Sequence, residues 1–147
     1  MTFQDDCTAL KQTPIFRDVD VAKLKLLAIA SHRVTLEDGE LLLRQGDRSD
    51  GVYVLLEGTA DVFRETPNGR VKLAQVSHGE VVGEIGVLSG RPYSATIVAA
   101  GHLSALQIEK NAFIEILTEV PQIALSIARE LGRRLERMNE RLAALTK

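Results

Sequence analysis

The hydrophobic positions change their period twice along the chain. Between Asp5 and Ser31 the apolar residues cluster at helical spacing, Ala9 and Leu10 first, then Leu24, Leu27, Ala28 and Ala30 after Asp20. Pro14 disfavours helix in the residue before it, so Pro14 with Ile15–Phe16 divides this stretch into two helical pieces. From His32 to Glu109 the texture becomes β-like: Arg33–Leu36, Glu40–Arg44, Val52–Glu57, Ala60–Arg64, Val71–Val76, Thr96–Ala99 and Leu103–Ile108. The breakers are Asp38-Gly39, Gly46-Asp47, Gly58, Pro67-Asn68-Gly69 and Gly79, each expected to mark a turn. Pro67-Asn68-Gly69 predicts a hairpin, because Asn and Gly tolerate positive φ. Strand signals recurring about every ten residues predict a barrel or double-sheet roll rather than an α/β layer fold. After Lys110 the helical period returns. Asn111 is the expected N-cap of a helix to about Glu119, and Pro121 is placed to open a longer one toward Leu145.

The predicted fold class is therefore α+β: an antiparallel β-roll over 32–109, preceded by helices over 1–31 and followed by two helices over 110–147. One domain over 1–147 is expected, since 147 residues support one sizeable core.

Along the last helix, Ala124, Ala128, Leu131, Leu135, Met138, Leu142 and Leu145 alternate steps of four and three, a 3.5-residue seam that predicts pairing with a second helix. Ile123 and Ile127 lie off that seam and are expected to pack on the roll. A homodimer through this helix is the expectation; a helix packed only on its own roll is the alternative. Like-charged neighbours such as Arg133–Arg137 and Glu136–Glu140 leave its polar face little gain from pairing.

Composition narrows the function. Lys+Arg 18 against Asp+Glu 20 gives a net charge of −2, which argues against wholesale coating of nucleic acid or anionic membrane. Aromatic residues are 4% with no Trp, too few for base-stacking platforms. The single cysteine, Cys7, excludes an internal disulfide and is expected to be an inert or exposed thiol. His32, His78 and His102 lack short ligand spacing, so no metal is expected, and Ser89 and Ser94 lack a nucleophile's setting. No apolar run approaches the roughly 20 residues of a membrane span, and Met1 to Lys11 lacks the basic-then-apolar plan expected of a signal peptide. A cytoplasmic protein that is not an enzyme is the expectation.

Two segments carry the functional signal. Asp38–Asp61 places Gly39-Glu40, Gly46-Asp47, Asp50, Tyr53-Val54 and Gly58 in order, residues that on their own specify architecture. Gly79–Ala99 reads GEVVGEIGVLSGRPYSATIVA, in which Glu84–Leu88 is a candidate helical turn whose amides favour an anion, and Gly83 and Gly86 carry no side chains to block approach. Together these segments resemble the cyclic-nucleotide-binding domain family, which includes the bacterial catabolite activator protein and the regulatory subunits of cyclic-AMP-dependent kinase. The resemblance extends from about Pro14 to Leu145 and implies that family's helix, eight-stranded roll and two terminal helices. The second segment is similar to its phosphate-binding cassette through Gly83, Glu84, Ile85, Gly86, Val87, Leu88, Gly90, Pro92, Ser94, Ala95 and Thr96.

That resemblance implies a ribose hydroxyl on Glu84, and the cyclic phosphate near the amides of Ile85 and Ala95 and near Ser94. One position departs: directly before Ser94, where the family pattern has Arg, this chain has Tyr93. A lost charged hydrogen bond of about 1.5–3 kcal/mol corresponds to roughly ten- to several-hundred-fold weaker binding. Three arrangements stay open: Arg91 bends back to the phosphate, Tyr93 donates its hydroxyl, or the pocket takes another ligand or none. Weak binding of cAMP or cGMP is expected, strengthened by Tyr93→Arg. The family's bacterial members dimerise through the last helix, and Arg133-Arg134-Leu135 matches their run there. Where cAMP-sensing members contact adenine with hydroxyl residues, this chain has Met138 and Asn139. A DNA-binding domain follows that helix in the family's regulators; this chain ends at Lys147, so no DNA contact is expected. The implied function is a homodimeric cyclic-nucleotide sensor that signals through its last helix to a possible protein effector. The alternative is a nucleotide-independent dimeric interaction module on the same fold.

Overall fold

The computed structural model describes residues 3–145. Helix α1 (Phe3–Gln12), a 3-10 turn (Pro14–Phe16) and helix α2 (Val21–Ile29) lead into β1 (Ser31–Leu36), β2 (Leu41–Leu43), β3 (Gly51–Thr66), β4 (Gly69–Ser77) and β5 (Val81–Val82). Helix α3 (Glu84–Ser89), β6 (Thr96–Glu109), α4 (Lys110–Glu119) and α5 (Pro121–Leu145) complete the order. All pairings are antiparallel: the sheet runs β1-β6-β3-β4, with β2 also on β6 and β5 on β3. The α+β antiparallel roll between terminal helices is the architecture expected from the sequence. Among the described residues no helix is long and apolar enough to cross a membrane.

Three local expectations are corrected. Gly58 does not end a strand, and Ala99 and Leu103 do not lie on separate strands; β3 and β6 each run through. The register between them shifts around Gly58, whose φ is +84°, and a Cβ there would stand 2.1 Å from the His102 carbonyl. The glycine is a bulge that bends the ribbon where the two backbones nearly touch. Each long strand thus does the work of two, and among the described residues six strands, not eight, build the roll. Second, α4 is capped by Glu109, whose carboxylate accepts from the amides of Asn111 and Ala112 at 3.2 and 3.3 Å. Asn111 is already inside the first turn, two residues past the cap position. Third, of the two alternatives for Cys7, an inert or an exposed thiol, exposure is not found: it is buried on the inner face of α1.

The core divides into two clusters. One packs Leu10, Phe16, Leu24, Phe113, Ile123 and Ile127 from the helices against Val52, Val54, Leu106 and Ile108 of the roll. Ile123 and Ile127 thus take the packing role expected of them. The other fills the roll with Leu42, Leu43, Leu55, Ala60, Val82, Ile97 and Leu103, and reaches Tyr93. Beyond Leu131, which still packs against it, α5 leaves the helical cluster: Leu135, Met138 and Leu142 are each 58–59% exposed.

Candidate functional site

The segment after β5 folds as the sequence suggests, and its glycines have geometric causes. Gly83 precedes α3 at φ +86°, where a Cβ would press within 3.2 Å of both the Gly51 carbonyl and the Tyr93 ring. Gly86 lies over Ser49, whose Oγ would be 2.1 Å from an added Cβ. That same Oγ donates to the Arg91 carbonyl at 2.6 Å, and the Arg91 amide donates to the Gly86 carbonyl at 3.1 Å. Side chains larger than hydrogen at either glycine would push α3 off the roll.

The segment forms one wall of a cavity of about 670 Å³. Gly83, Glu84, Ile85, Gly86, Tyr93, Ser94 and Ala95 line it, with Val62, Leu73 and Ile97 from the sheet and Arg134, Arg137, Met138 and Arg141 from α5. The segment singled out in the sequence therefore lines a cavity. Two nominated residues lie elsewhere. Arg91 is exposed and is not among the lining residues, because its backbone is held to Ser49 and Gly86 on the outer side of the loop. Asn139 is likewise absent from the lining while Met138 is present, since one residue along a helix turns about 100°.

Glu84 is buried at 4% exposure, and its Oε1 accepts from Arg134 Nη1 at 2.9 Å. Burial pushes its carboxyl pKa up, opposed by its own backbone amide and by Arg134. Arg134 also approaches Glu130 at 3.6 Å, which in turn holds Arg133 at 2.8 Å and lies 3.8 Å from Arg137. The Arg133 hydrogen bond leads the effects that hold the Glu130 carboxyl below its ordinary range. One carboxylate thus organises three arginines, pairing that the like-charged neighbours in the sequence concealed. A smaller cavity of about 370 Å³ shares Glu80, Glu84 and Arg134 and reaches Pro14, Ile15, Ser126 and Arg129. The Glu84–Arg134 bond therefore joins the α3 wall to α5 at a point that both cavities touch. Arg134 stands off the apolar seam on α5, and only the tertiary contact reveals its partner.

Tyr93 is tied at three atoms. Its hydroxyl donates to the Gly51 carbonyl at 2.5 Å and accepts from the Gly51 amide at 3.2 Å. Its carbonyl accepts from the Gly46 amide at 2.9 Å, and its amide donates to the Asp47 carbonyl at 3.0 Å. Burial raises the phenol pKa, so the proton stays on the oxygen and is spent on Gly51. The ring borders the cavity while the hydroxyl points into the frame. In this structure the hydroxyl is engaged by Gly51 rather than turned into the cavity.

A family model described as the cyclic nucleotide-binding domain matches residues 33–119. The cAMP-dependent protein kinase regulatory subunit of Dictyostelium discoideum is 29% identical over 118 residues, covering 78% of this chain and 36% of that protein. The CRP-like cAMP-activated global transcriptional regulator of Mycobacterium tuberculosis is 24% identical over 137 residues, covering 92% of this chain and 61% of the regulator. This chain thus spans less than two thirds of these relatives' lengths. Among solved structures, the catabolite activator protein of Thermus thermophilus superposes with a TM-score of 0.78 at 25% identity, over 90% of this chain and 63% of that one.

Proposed function

Because the chain belongs to the cyclic nucleotide-binding domain family, we propose that its residues 1–147 form one regulatory module, not an enzyme, that binds cAMP or cGMP in the larger cavity. The observation that carries this reading is the buried Glu84 carboxylate, held by Arg134 of α5. A docking surface has no use for a desolvated carboxylate among glycines, whereas a ribose hydroxyl gives it a donor. The relatives' names point the same way: both the kinase subunit and the transcriptional regulator are described by their response to cAMP. The phosphate goes to the amides of Ile85 and Ala95 and to Ser94, and the base to the part of α5 that carries Met138.

Signalling follows from the bond between wall and helix. A ribose hydroxyl on Glu84 competes with Arg134, so ligand and α5 share one carboxylate. A ligand shifts the position of α5 to the extent that it binds one arrangement better than another. The exposed Leu135, Met138 and Leu142 then make α5 the homodimer helix and the output to a protein effector. Neither DNA nor membrane is a partner in this reading. Titration calorimetry with cAMP and cGMP tests it: the protein binds at least one, and Glu84→Ala weakens binding by tenfold or more. No heat of binding at millimolar nucleotide overturns the proposal.

A second reading rests on Tyr93: with its hydroxyl spent on Gly51, the α3 wall supplies no guanidinium, which suits a nucleotide-independent interaction module. It predicts the same dimer and no ligand dependence.

A further inference from the structure

We propose that Arg64, on β3, supplies the guanidinium for the ligand's anionic phosphate that the segment around Tyr93 does not. The inference rests on the reading that the larger cavity takes a cyclic nucleotide. Its ground is the register of the roll. Val62 pairs with Ile97 and Phe63 with Thr96, and both Val62 and Ile97 line the cavity. Strand side chains alternate faces, so continuing this register brings Arg64 and Ala95 back to the face of Val62 and Ile97. Ala95 lines the cavity, and Arg64 Nη1 donates to the carbonyl of its neighbour Ser94 at 3.2 Å. Arg64 is exposed and is not itself among the lining residues; its guanidinium is held beside Ser94 and Ala95, which do line the cavity and where the phosphate is expected.

Its position is fixed from the backbone side. The Gln45 side chain accepts from the Glu65 amide at 2.8 Å and donates to the Glu65 carbonyl at 3.3 Å, while the Gln45 amide donates to Thr96 Oγ1 at 3.0 Å. The next residue, Gly46, donates to the Tyr93 carbonyl. One short loop therefore holds the strand next to Arg64 and the segment next to Ser94 in fixed relation.

The charge is also available. Glu65 is occupied by Arg70 at 2.8 Å, and among the described residues Arg64 has no carboxylate partner. The other arginines at the cavity serve less well. Arg134, Arg137 and Arg141 line the cavity from α5, the side assigned to the ribose and base, whereas Arg64 is bonded to Ser94 on the side assigned to the phosphate. Giving up a single bond to a carbonyl for a charged oxygen is a favourable exchange, because charge-assisted hydrogen bonds are the stronger class.

The test separates charge from shape by comparing each cyclic nucleotide with its nucleoside: cAMP with adenosine, cGMP with guanosine. Calorimetric titrations use the wild type, Arg64→Gln and Arg64→Lys. Arg64→Gln is expected to lose about tenfold in affinity for the cyclic nucleotide and nothing for the nucleoside, the size of one solvent-touched ionic hydrogen bond. Arg64→Lys recovers part of the loss, since it keeps the charge without the fork. Thermal unfolding stays within about a degree of wild type, because the side chain makes one exposed bond. Equal losses for nucleotide and nucleoside, or none for either, overturn the assignment of Arg64 while leaving nucleotide binding intact. A wild type that binds no cyclic nucleotide overturns the parent reading and this one together.

Discussion

Replacing Tyr93 by Phe removes one oxygen and keeps the ring that fills the roll's core. The hydroxyl is the bridge between the amide and carbonyl of Gly51, at 3.2 and 2.5 Å, in a place where Tyr93 is 8% exposed. No water replaces it without displacing the ring, so backbone groups are left short of a partner. The cost of such unmet groups is about 1–3 kcal/mol. For a chain of this size each kcal/mol lowers Tm by roughly 2–4 °C, so the fall should be about 2–12 °C. Calorimetric unfolding and urea titration measure it, with an unchanged m-value showing that stability rather than compactness has moved. Because the lost oxygen faces the frame, affinity for cAMP or cGMP should stay within about twofold, well under one hydrogen bond. The refuting result is the inverse: a Tm within about a degree of wild type with a clear loss of nucleotide affinity. That outcome would make the hydroxyl the ligand's donor and Gly51 a resting contact.

Tyr93→Arg carries the same loss of the Gly51 bridge, so it should lower Tm while tightening cyclic-nucleotide binding tenfold or more by calorimetry. Unchanged affinity would mean that a guanidinium at this position does not reach the ligand. Burial raises the Glu84 pKa more than Arg134 lowers it, so the ionised carboxylate opposes folding. Its contribution to stability is complete below the ordinary carboxylate value of 4.5 and is lost as pH rises through the raised folded value. Unfolding measured from pH 4.5 to 7 should therefore show Glu84→Gln gaining on wild type as pH rises; a gain as pH falls would mean that the Arg134 bond outweighs desolvation. Leu142 is 59% exposed on the seam of α5, so Leu142→Asp should give a monomer by light scattering with Tm changed by no more than about 2 °C. Retention of the dimer would place the interface elsewhere.

Much of the molecule was legible as a one-dimensional pattern because the forces involved act over a few residues. The switch from helical to β-like period, the hairpin at Pro67–Gly69, the helix opened by Pro121 and the buried Ile123 and Ile127 all follow from side-chain period and backbone dihedral preference. The α3 wall was legible for the same reason, since its glycines and Glu84 lie within one short run. Local signals failed where a distant strand supplied the cause. Gly58 reads as a turn until His102 arrives 2.1 Å from its missing Cβ, and Asn111 reads as a cap until Glu109 accepts the amides.

The site divides along the same line. Sequence alone determined that Tyr93 stands where its family pattern has Arg, and that the last helix carries an apolar seam. Only the tertiary structure decided what that substitution does: the phenol closes on Gly51, 42 residues away, Arg91 stays outside, and Arg64 comes to Ser94 from another strand. It also joined Glu84 to Arg134 across 50 residues of chain. Hydrogen bonds and ion pairs of this kind are set by distance in space, and in a roll whose strands pair across such separations, sequence spacing carries no record of that distance.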